Sequence, residues 1–196
     1  MLDHMTKRKP QNDADVRTQI EALAEMASQG DKKALCGLIE KISKSVLFQL
    51  TYLLNDKSSV EDVSQNVLLR VCENICGLRK PKAFKGWLAR IIINENNRYL
   101  AKNLRLGGSL NIDDYTDSME DGRSLPHERV ENNELHKTVI EIISGLPERQ
   151  REAVILHYYN DLSVTEVAKL MNITPQTVSK NLSIAREKLY SIIIRI

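Results

Sequence analysis

Side chains suited to reading the edges of DNA bases are grouped near the C-terminus. Gln176 and Thr177 stand first in this group, and a glutamine amide can pair with the N6 and N7 atoms of adenine. Lys180 and Arg186 follow and supply positive charge for phosphate groups. The candidate set for duplex DNA is Thr174, Gln176, Thr177, Ser179, Lys180 and Arg186. The chemistry that this pattern offers is recognition of DNA.

Two helix-start signals place this group on the second helix of a helix-turn-helix. Ser163 and Glu166 have the spacing of a capping box, and Thr174 followed by Pro175 is typical of an N-cap and a first helical residue. Both halves carry apolar residues at helical spacing: Val164, Val167, Ala168 and Met171, then Val178, Leu182, Ala185 and Leu189. The polar face of the second helix can then enter a major groove. The sequence therefore predicts a DNA-binding protein.

A second candidate site is the basic segment 79–105, in which eight basic residues stand against the single acid Glu95. A basic groove with pockets for bases is the general recipe for binding unpaired DNA, and the amides of Asn94, Asn96 and Asn97 suit the edges of flipped bases. The candidate set is Arg79, Lys80, Lys82, Lys85, Arg90, Asn94, Asn97 and Arg98. Trp87 shares an apolar face with its helical neighbours, which favours core packing over stacking on a base.

Charge is strongly segregated along the 196 residues, although the net charge is only +2. Residues 31–106 carry fourteen basic and seven acidic side chains, a net charge of +7. Residues 107–144 carry three basic and nine acidic ones, a net charge of −6, and residues 145–196 return to +2. Two basic blocks separated by an acidic one indicate two modules that face nucleic acid and a connector with a different role.

Apolar residues recur with helical spacing almost throughout, and no segment alternates as a half-buried strand would. We therefore predict an all-α fold: two small helical domains joined by a flexible acidic linker, with a C-terminal helix-turn-helix. The expected parts are an N-terminal extension over 1–30, a domain over 31–106, the linker over 107–129 and the helix-turn-helix domain over 130–196. Val16, Ile20, Leu23 and Ala27 predict a short amphipathic helix in the extension.

Several classes of protein are disfavoured. The acids gather in the linker rather than in a catalytic cluster, and the four histidines lack metal-ligand spacing, so neither an enzyme nor a cofactor is predicted. No stretch has the length and apolarity of an export signal or a membrane span, so a cytoplasmic protein without membrane insertion is expected. Cys36, Cys72 and Cys76 are then reduced, and we predict that they pack as small core hydrophobes.

Three stretches, in their order and separation, resemble one protein family. The run from Leu146-Pro-Glu-Arg-Gln-Arg-Glu-Ala to Ala185-Arg-Glu-Lys-Leu resembles region four of bacterial RNA polymerase sigma factors. Glu61-Asp-Val-Ser-Gln-Asn-Val-Leu-Leu-Arg-Val resembles their core-binding helix, and Phe84-Lys-Gly-Trp-Leu-Ala-Arg-Ile is similar to their promoter-melting segment. Two such domains with little else match the small extracytoplasmic-function class.

The resemblance implies a role for each block. The core-binding helix would hold the coiled coil of the largest subunit of core RNA polymerase, with Glu61, Asp62, Gln65 and Arg70 on its surface. A solvated helix face is the plainer interpretation of those four residues. The basic segment would melt and capture the −10 element of promoter DNA as single strands, and the helix-turn-helix would bind the −35 element as duplex. An anti-sigma factor is a further partner that the family allows.

The acidic linker has two interpretations. By composition it is a soluble tether. By resemblance, Asp113, Asp114, Asp117, Glu120 and Asp121 would occupy the basic RNA path of the polymerase as a nucleic-acid mimic.

The recognition helix carries few basic residues. We therefore also expect a modest affinity for the −35 element, with a weak dependence on salt.

Two other functions compete with the sigma factor. A helix-turn-helix regulator that acts without stable polymerase association explains the C-terminal block but not the basic, asparagine-rich one. It would bind a duplex operator by itself, whereas a small sigma factor needs core polymerase. A recombinase would require a catalytic cluster that the sequence does not offer.

Overall fold

The computed structural model describes residues 10–54, 56–105 and 142–193. Within those ranges the regular elements are helices: α1 (Pro10–Ser28), α2 (Lys32–Leu53), α3 (Val60–Asn74), α4 (Phe84–Arg105), α5 (Glu148–Val154), α6 (Val164–Met171) and α7 (Pro175–Ile193). Turns of 3-10 helix at Lys57–Ser59, Ile75–Gly77 and Pro81–Ala83 join the earlier helices, and a π-helical turn, Ile155–Tyr159, continues α5. The predicted all-α fold is confirmed.

Helices α2, α3 and α4 pack together because each presents one apolar stripe. Leu38, Ile42, Val46 and Leu50 recur every four residues on α2 and are buried. Val60, Val63, Val67 and Val71 form the stripe of α3, and Phe84, Leu88 and Ile92 that of α4. This N-terminal helical group carries the segments that resemble the core-binding and promoter-melting parts of a sigma factor.

Helix α1 is the amphipathic helix that the sequence predicts in the N-terminal segment, and its apolar side packs against the core. Ala24 and Ala27 are buried, and Ile20 and Leu23 pack against the same core. Gly37 of α2 faces Leu23 of α1, and a Cβ added there would lie at an ordinary contact distance of 3.6 Å from Leu23 Cδ2. Helix α1 also contacts the turns Ile75–Gly77 and Pro81–Ala83. It therefore supports the basic segment that begins at residue 79.

The turn between α2 and α3 is fastened to α4 by the carboxylate of Asp56. Ser58 donates its backbone N–H over 2.9 Å and its hydroxyl over 2.7 Å, Ser59 donates a further hydroxyl, and Tyr99 of α4 donates its phenol over 2.9 Å. The side-chain hydrogen bonds from Ser59 and Ser58 are the chief reasons why the pKa of Asp56 falls to about 2. These hydrogen bonds hold the turn that precedes α3 against α4.

Helices α5, α6 and α7 form the second group, and their sharp turns are built from left-handed residues. Asn172 has φ 53° and ends α6, which is the short turn a helix-turn-helix requires. Leu156, Val167, Val178 and Leu182 bury the apolar sides of the three helices. The buried residues of both groups form one continuous cluster. None of the helices in the described ranges is long and apolar enough to cross a membrane.

Candidate nucleic-acid and polymerase interfaces

The helix-turn-helix begins with the two caps that the sequence predicts. The backbone N–H of Glu166 donates to Ser163 Oγ over 3.3 Å, and Glu166 Oε2 accepts from the Ser163 backbone over 2.9 Å, so the capping box is closed. The Ser163 hydroxyl also donates to Glu166 Oε2 over 2.6 Å, and this hydrogen bond, followed by that from the Ser163 backbone, lowers the pKa of Glu166. Thr174 Oγ1 accepts from the Thr177 N–H over 3.2 Å and caps α7. The orientation of the recognition helix is therefore set locally.

Most of the predicted duplex-binding side chains lie on one open surface of α7. Gln176, Thr177, Ser179 and Lys180 are exposed, while Val178 between them is fully buried. Arg186 is exposed two turns further on and donates through Nε to the carbonyl of Leu182 over 3.3 Å. The hydroxyls of Thr174 and Thr177 lie 2.8 Å apart. Gln176 and Lys180 are consequently the side chains most able to reach DNA.

The basic segment forms one wall of an open cleft of about 570 Å³. This wall contributes five cationic side chains to the cleft: Arg79, Lys80, Lys82, Lys85 and Arg90. Trp87 also faces the cleft, and its ring lies 5.7 Å from that of Phe84, so it is half-buried against the core. The opposite wall comes from Asn160–Leu162, which follow the π-turn, and from Glu166, Lys169 and Leu170 of α6. Five cations on one rim make a strongly electropositive edge.

Further along α4 the asparagines divide between surface and core. Asn94 and Asn97 are exposed, as a role in binding DNA requires, whereas Asn96 is buried and its Oδ1 accepts no hydrogen bond. The expectation that Asn96 reads a base is therefore wrong. Asn96 lies four residues after Ile92, on the stripe that packs against the core. That spacing was the sequence signal for its burial.

Arg98 is exposed but is paired with Glu95, which is itself buried. Arg98 Nη1 lies 3.2 Å from Glu95 Oε1, and Arg70 Nε of α3 lies 3.3 Å from the same atom. Arg70 also pairs with Glu73 over 2.8 Å. One carboxylate thus holds a residue of the predicted polymerase surface and a residue of the predicted −10 surface.

The surface of α3 that is predicted to bind polymerase is mixed polar and apolar. Glu61 and Asp62 occupy its first turn and Gln65 the second, all exposed. Leu69 is 57% exposed on the same face, four residues after Gln65, and was not among the residues predicted from the sequence. The detectable signal was its position outside the buried stripe of valines. Protein interfaces typically have an apolar core and a polar rim, and an exposed leucine beside polar residues fits that composition.

The three cysteines are free and exposed, so the prediction that they fill the core is wrong. Cys72 and Cys76 each follow a buried residue of the α3 stripe, Val71 and Ile75, and are rotated about 100° away from it. In the described part of the chain, no three His, Cys, Asp or Glu side chains are grouped as metal ligands would be. The five candidate acids of the linker lie outside the described residues.

Two family models match the two helical groups in the order found here. Residues 38–106 match "Sigma-70 region 2" and residues 136–189 match "Sigma-70, region 4". The chain belongs to the sigma-70 family. The sigma factor is similar to the ECF RNA polymerase sigma factor SigW of Bacillus subtilis, with 28% identity over 169 residues that cover 82% of this chain and 89% of that one. It is likewise 29% identical to the ECF sigma-E factor of Haemophilus influenzae, over 85% of this chain and 91% of that one.

Solved structures show the same fold. CnrH in complex with the cytosolic domain of CnrY has a TM-score of 0.57 and 18% identity, covering 90% of this sigma factor and 98% of CnrH. RpoE of Bartonella quintana in complex with the anti-sigma factor NepR has a TM-score of 0.61 and 18% identity, covering 79% and 93%. The chain is a sigma factor of the extracytoplasmic-function class, and the interpretation as a free-standing regulator is not favoured.

Proposed function

We propose that this sigma factor holds a promoter with two surfaces while α3 holds core RNA polymerase. The cationic rim and the exposed amides of α4 take the melted −10 strand, and the polar face of α7 takes the −35 duplex. One observation carries the proposal: the exposed polar side chains of α4 and those of α7 lie on different helical groups. A protein so built recognises two DNA segments and needs the polymerase to place them.

The −10 assignment rests on charge and access. Arg79, Lys80 and Lys82 are exposed on the rim, and Asn94 and Asn97 are exposed further along α4. Unpaired DNA is held by cations that follow its backbone and by groups that stack on or pair with its bases. Trp87 is half-buried, so its role is chiefly to support this rim. Arg98 is paired with Glu95, so its role is to position α4 rather than to contact a base.

The assignment of α3 as the polymerase surface rests on composition and geometry. Glu61, Asp62 and Gln65 precede Leu69 on one exposed helix face. Binding energy in such interfaces concentrates in a few buried apolar or aromatic side chains, ringed by polar groups that exclude water. Arg70 is directed towards Glu73 and Glu95, so its contribution is to shape the face.

The decisive experiment adds the purified chain to core polymerase and maps transcripts from a genomic DNA library. Initiation at defined sites that share −10 and −35 sequences is the expected result. A chain that neither binds core nor directs initiation, yet binds duplex DNA alone, would be a simple regulator. The combined change Arg79→Ala and Lys82→Ala should leave the affinity for core unchanged and abolish initiation, while Lys44→Ala, on an exposed part of α2, serves as the matched control.

Two further points follow from the same proposal. The sigma factor acts in the cytoplasm by binding rather than by catalysis, and a fluorescent fusion should therefore lie over the nucleoid.

An anti-sigma factor is a second protein partner, since the Bartonella relative is bound to one. A protein captured with the tagged chain and displaced by core polymerase would support this, and capture of polymerase subunits alone would oppose it.

A further inference from the structure

Cys72 and Cys76 are two free thiols that lie one helical turn apart. Cys72 is in the last turn of α3, and Cys76 is in the 3-10 turn Ile75–Gly77 that continues it. Both side chains are exposed, whereas Ile75 between them is 1% exposed and anchors the turn in the core. Side chains four residues apart on a helix project from the same face, with about 5–6 Å between their Cβ atoms. The two thiols are therefore neighbours in solvent.

The same thiols continue the surface of α3 that is proposed to bind polymerase. The exposed side chains follow one another at the spacing of a single helix face: Gln65, Leu69, Cys72 and Cys76. The cysteines stand at the end of this face, next to the basic segment that begins at Arg79. A chemical change at the thiols would consequently alter the end of the proposed polymerase surface.

The geometry of the helix allows a disulfide between these thiols, but only with strain. The radius and rise of an α-helix place Cα atoms four residues apart at a separation of about 6.2 Å. Disulfides bridge Cα atoms that are about 4.4–6.8 Å apart, so the backbone separation is suitable. The bridged Cβ atoms, however, lie about 3.5–4.5 Å apart, which is closer than the helical spacing. Bond formation must therefore shift the backbone by about 1 Å or more.

The end of α3 is a place where such a shift can occur. The backbone changes there from α-helical to 3-10 geometry, and the Leu78 N–H closes the turn by donating to the Ile75 carbonyl over 2.9 Å. Helix ends open more readily than helix middles, because their last carbonyls lack partners within the helix. An exposed, strained disulfide is also easily reduced, as regulatory disulfides are. The site is therefore suited to reversible oxidation rather than to a permanent bond.

We propose that Cys72 and Cys76 form a peroxide-sensitive dithiol, and that its oxidation to a disulfide distorts the end of α3 and weakens binding to core polymerase. One thiolate attacks a peroxide oxygen and breaks the O–O bond, which gives a sulfenic acid and, after protonation, water. The second thiol attacks that sulfur, and a second water leaves with the thiol proton. The two sulfur atoms thereby lose two electrons to the peroxide. The effect on polymerase rests on the proposed function, whereas the thiol chemistry does not.

The test treats the full chain with hydrogen peroxide, after Cys36→Ser has removed the third thiol. Peptide mapping should find Cys72 joined to Cys76, in a chain that has lost two hydrogen atoms. The affinity for labelled core polymerase should fall on the order of ten-fold, as it does when one important interface contact is lost. Dithiothreitol should restore it. Adding Cys76→Ser leaves Cys72 without a partner, so the affinity of that variant should hardly respond to peroxide.

The matched control places a dithiol of the same spacing on another helix. It carries Cys72→Ser and Cys76→Ser and gains Glu40→Cys, four residues after Cys36 on the exposed side of α2. This pair lies within a continuous helix that resists the backbone shift, so it should oxidise more slowly and leave the affinity for core constant.

Three results would each overturn the proposal: no bond between Cys72 and Cys76 after treatment, an unchanged affinity once the bond has formed, or an equal loss with the pair on α2. A reduced chain that does not bind core would instead refute the sigma function. The peptide map would still decide whether the dithiol oxidises, so the two failures are distinguishable.

Discussion

Glu95 Oε1 lies 3.3 Å from Arg70 Nε and joins the middle of α4 to α3 across 25 residues of chain. Arg98 pairs with the same oxygen over 3.2 Å. Arg70 belongs to the candidate polymerase surface and Arg98 to the candidate −10 surface. A buried carboxylate therefore lies between the two functions of the N-terminal domain, and a change there should affect both.

Glu95→Gln should destabilise the N-terminal domain. The variant keeps the shape but loses the charge that holds two guanidinium groups, and hydrogen bonds to charged groups contribute about 1.5–3 kcal/mol each. We expect a fall of about 1–3 kcal/mol in the free energy of unfolding, measured by urea denaturation. Glu73→Gln removes the exposed partner of Arg70 and should change it by less than about 0.5 kcal/mol. Equal effects of the two changes would contradict this.

Asp56 should make stability depend on pH in the acid range. Its pKa is about 2 in the folded chain, below the ordinary value of 3.8, so its hydrogen bonds stabilise the fold above pH 3.8 and this contribution disappears as pH falls through 2. Asp56→Asn should therefore be less stable than the wild type near pH 6, and the gap should close towards pH 2. Urea denaturation at several pH values measures the gap, which is reduced by solvent because Asp56 is exposed. A gap that is constant with pH would exclude the charge as its cause.

Gln176→Ala should change which −35 sequences are preferred. A bidentate contact from an amide to adenine discriminates between bases by about 1–3 kcal/mol. Lys180→Ala should instead weaken binding to all sequences alike and lower the salt dependence by about one unit of slope. Initiation by the holoenzyme on a panel of −35 variants distinguishes the two. An unchanged order of preference after Gln176→Ala would remove that residue from base reading.

Leu69→Ala should weaken the affinity for core polymerase by more than about five-fold, because the truncation removes apolar surface that the complex would bury, at about 0.8 kcal/mol per CH2 group. Its exposure of 57% means that the unfolding free energy should hardly change. Leu104→Ala is the matched control, because Leu104 is 55% exposed at the far end of α4. Titration of labelled core polymerase gives both affinities. A similar loss in both variants would point to general stickiness of exposed leucines.

Neutralising the linker acids tests whether the linker is more than a tether. We expect that changing Asp113, Asp114, Asp117, Glu120 and Asp121 to their amides alters initial transcription without altering affinity for core. The physical reason is that a nucleic-acid mimic acts through its charge, whereas a tether acts through its length. The ratio of short abortive products to full-length transcripts measures the effect. An unchanged ratio would support the tether.

Local spacing predicted the elements and their ends. The capping box of Ser163 and Glu166 and the N-cap at Thr174 depend on residues three positions apart, so the sequence contains all of their geometry. The apolar stripes of α2, α3 and α4 recur with helical spacing and determine which face of each helix is buried. The same spacing accounts for the two errors, since Asn96 falls on the α4 stripe, whereas Cys36 and Cys72 fall outside the stripes of α2 and α3.

Only the tertiary structure decided which distant side chains meet. Arg70, Glu95 and Arg98 converge on one carboxylate because α3 and α4 pack at a particular rotation, and Asn160 finds Gln49 across 111 residues because two domains dock. Helical spacing gives the direction of a side chain about its own axis, but not the placement of another helix opposite it. The sequence thus predicted two candidate nucleic-acid surfaces on two helical groups. The tertiary structure decided that Lys85 of one candidate surface pairs with Asp161 of the domain that carries the other.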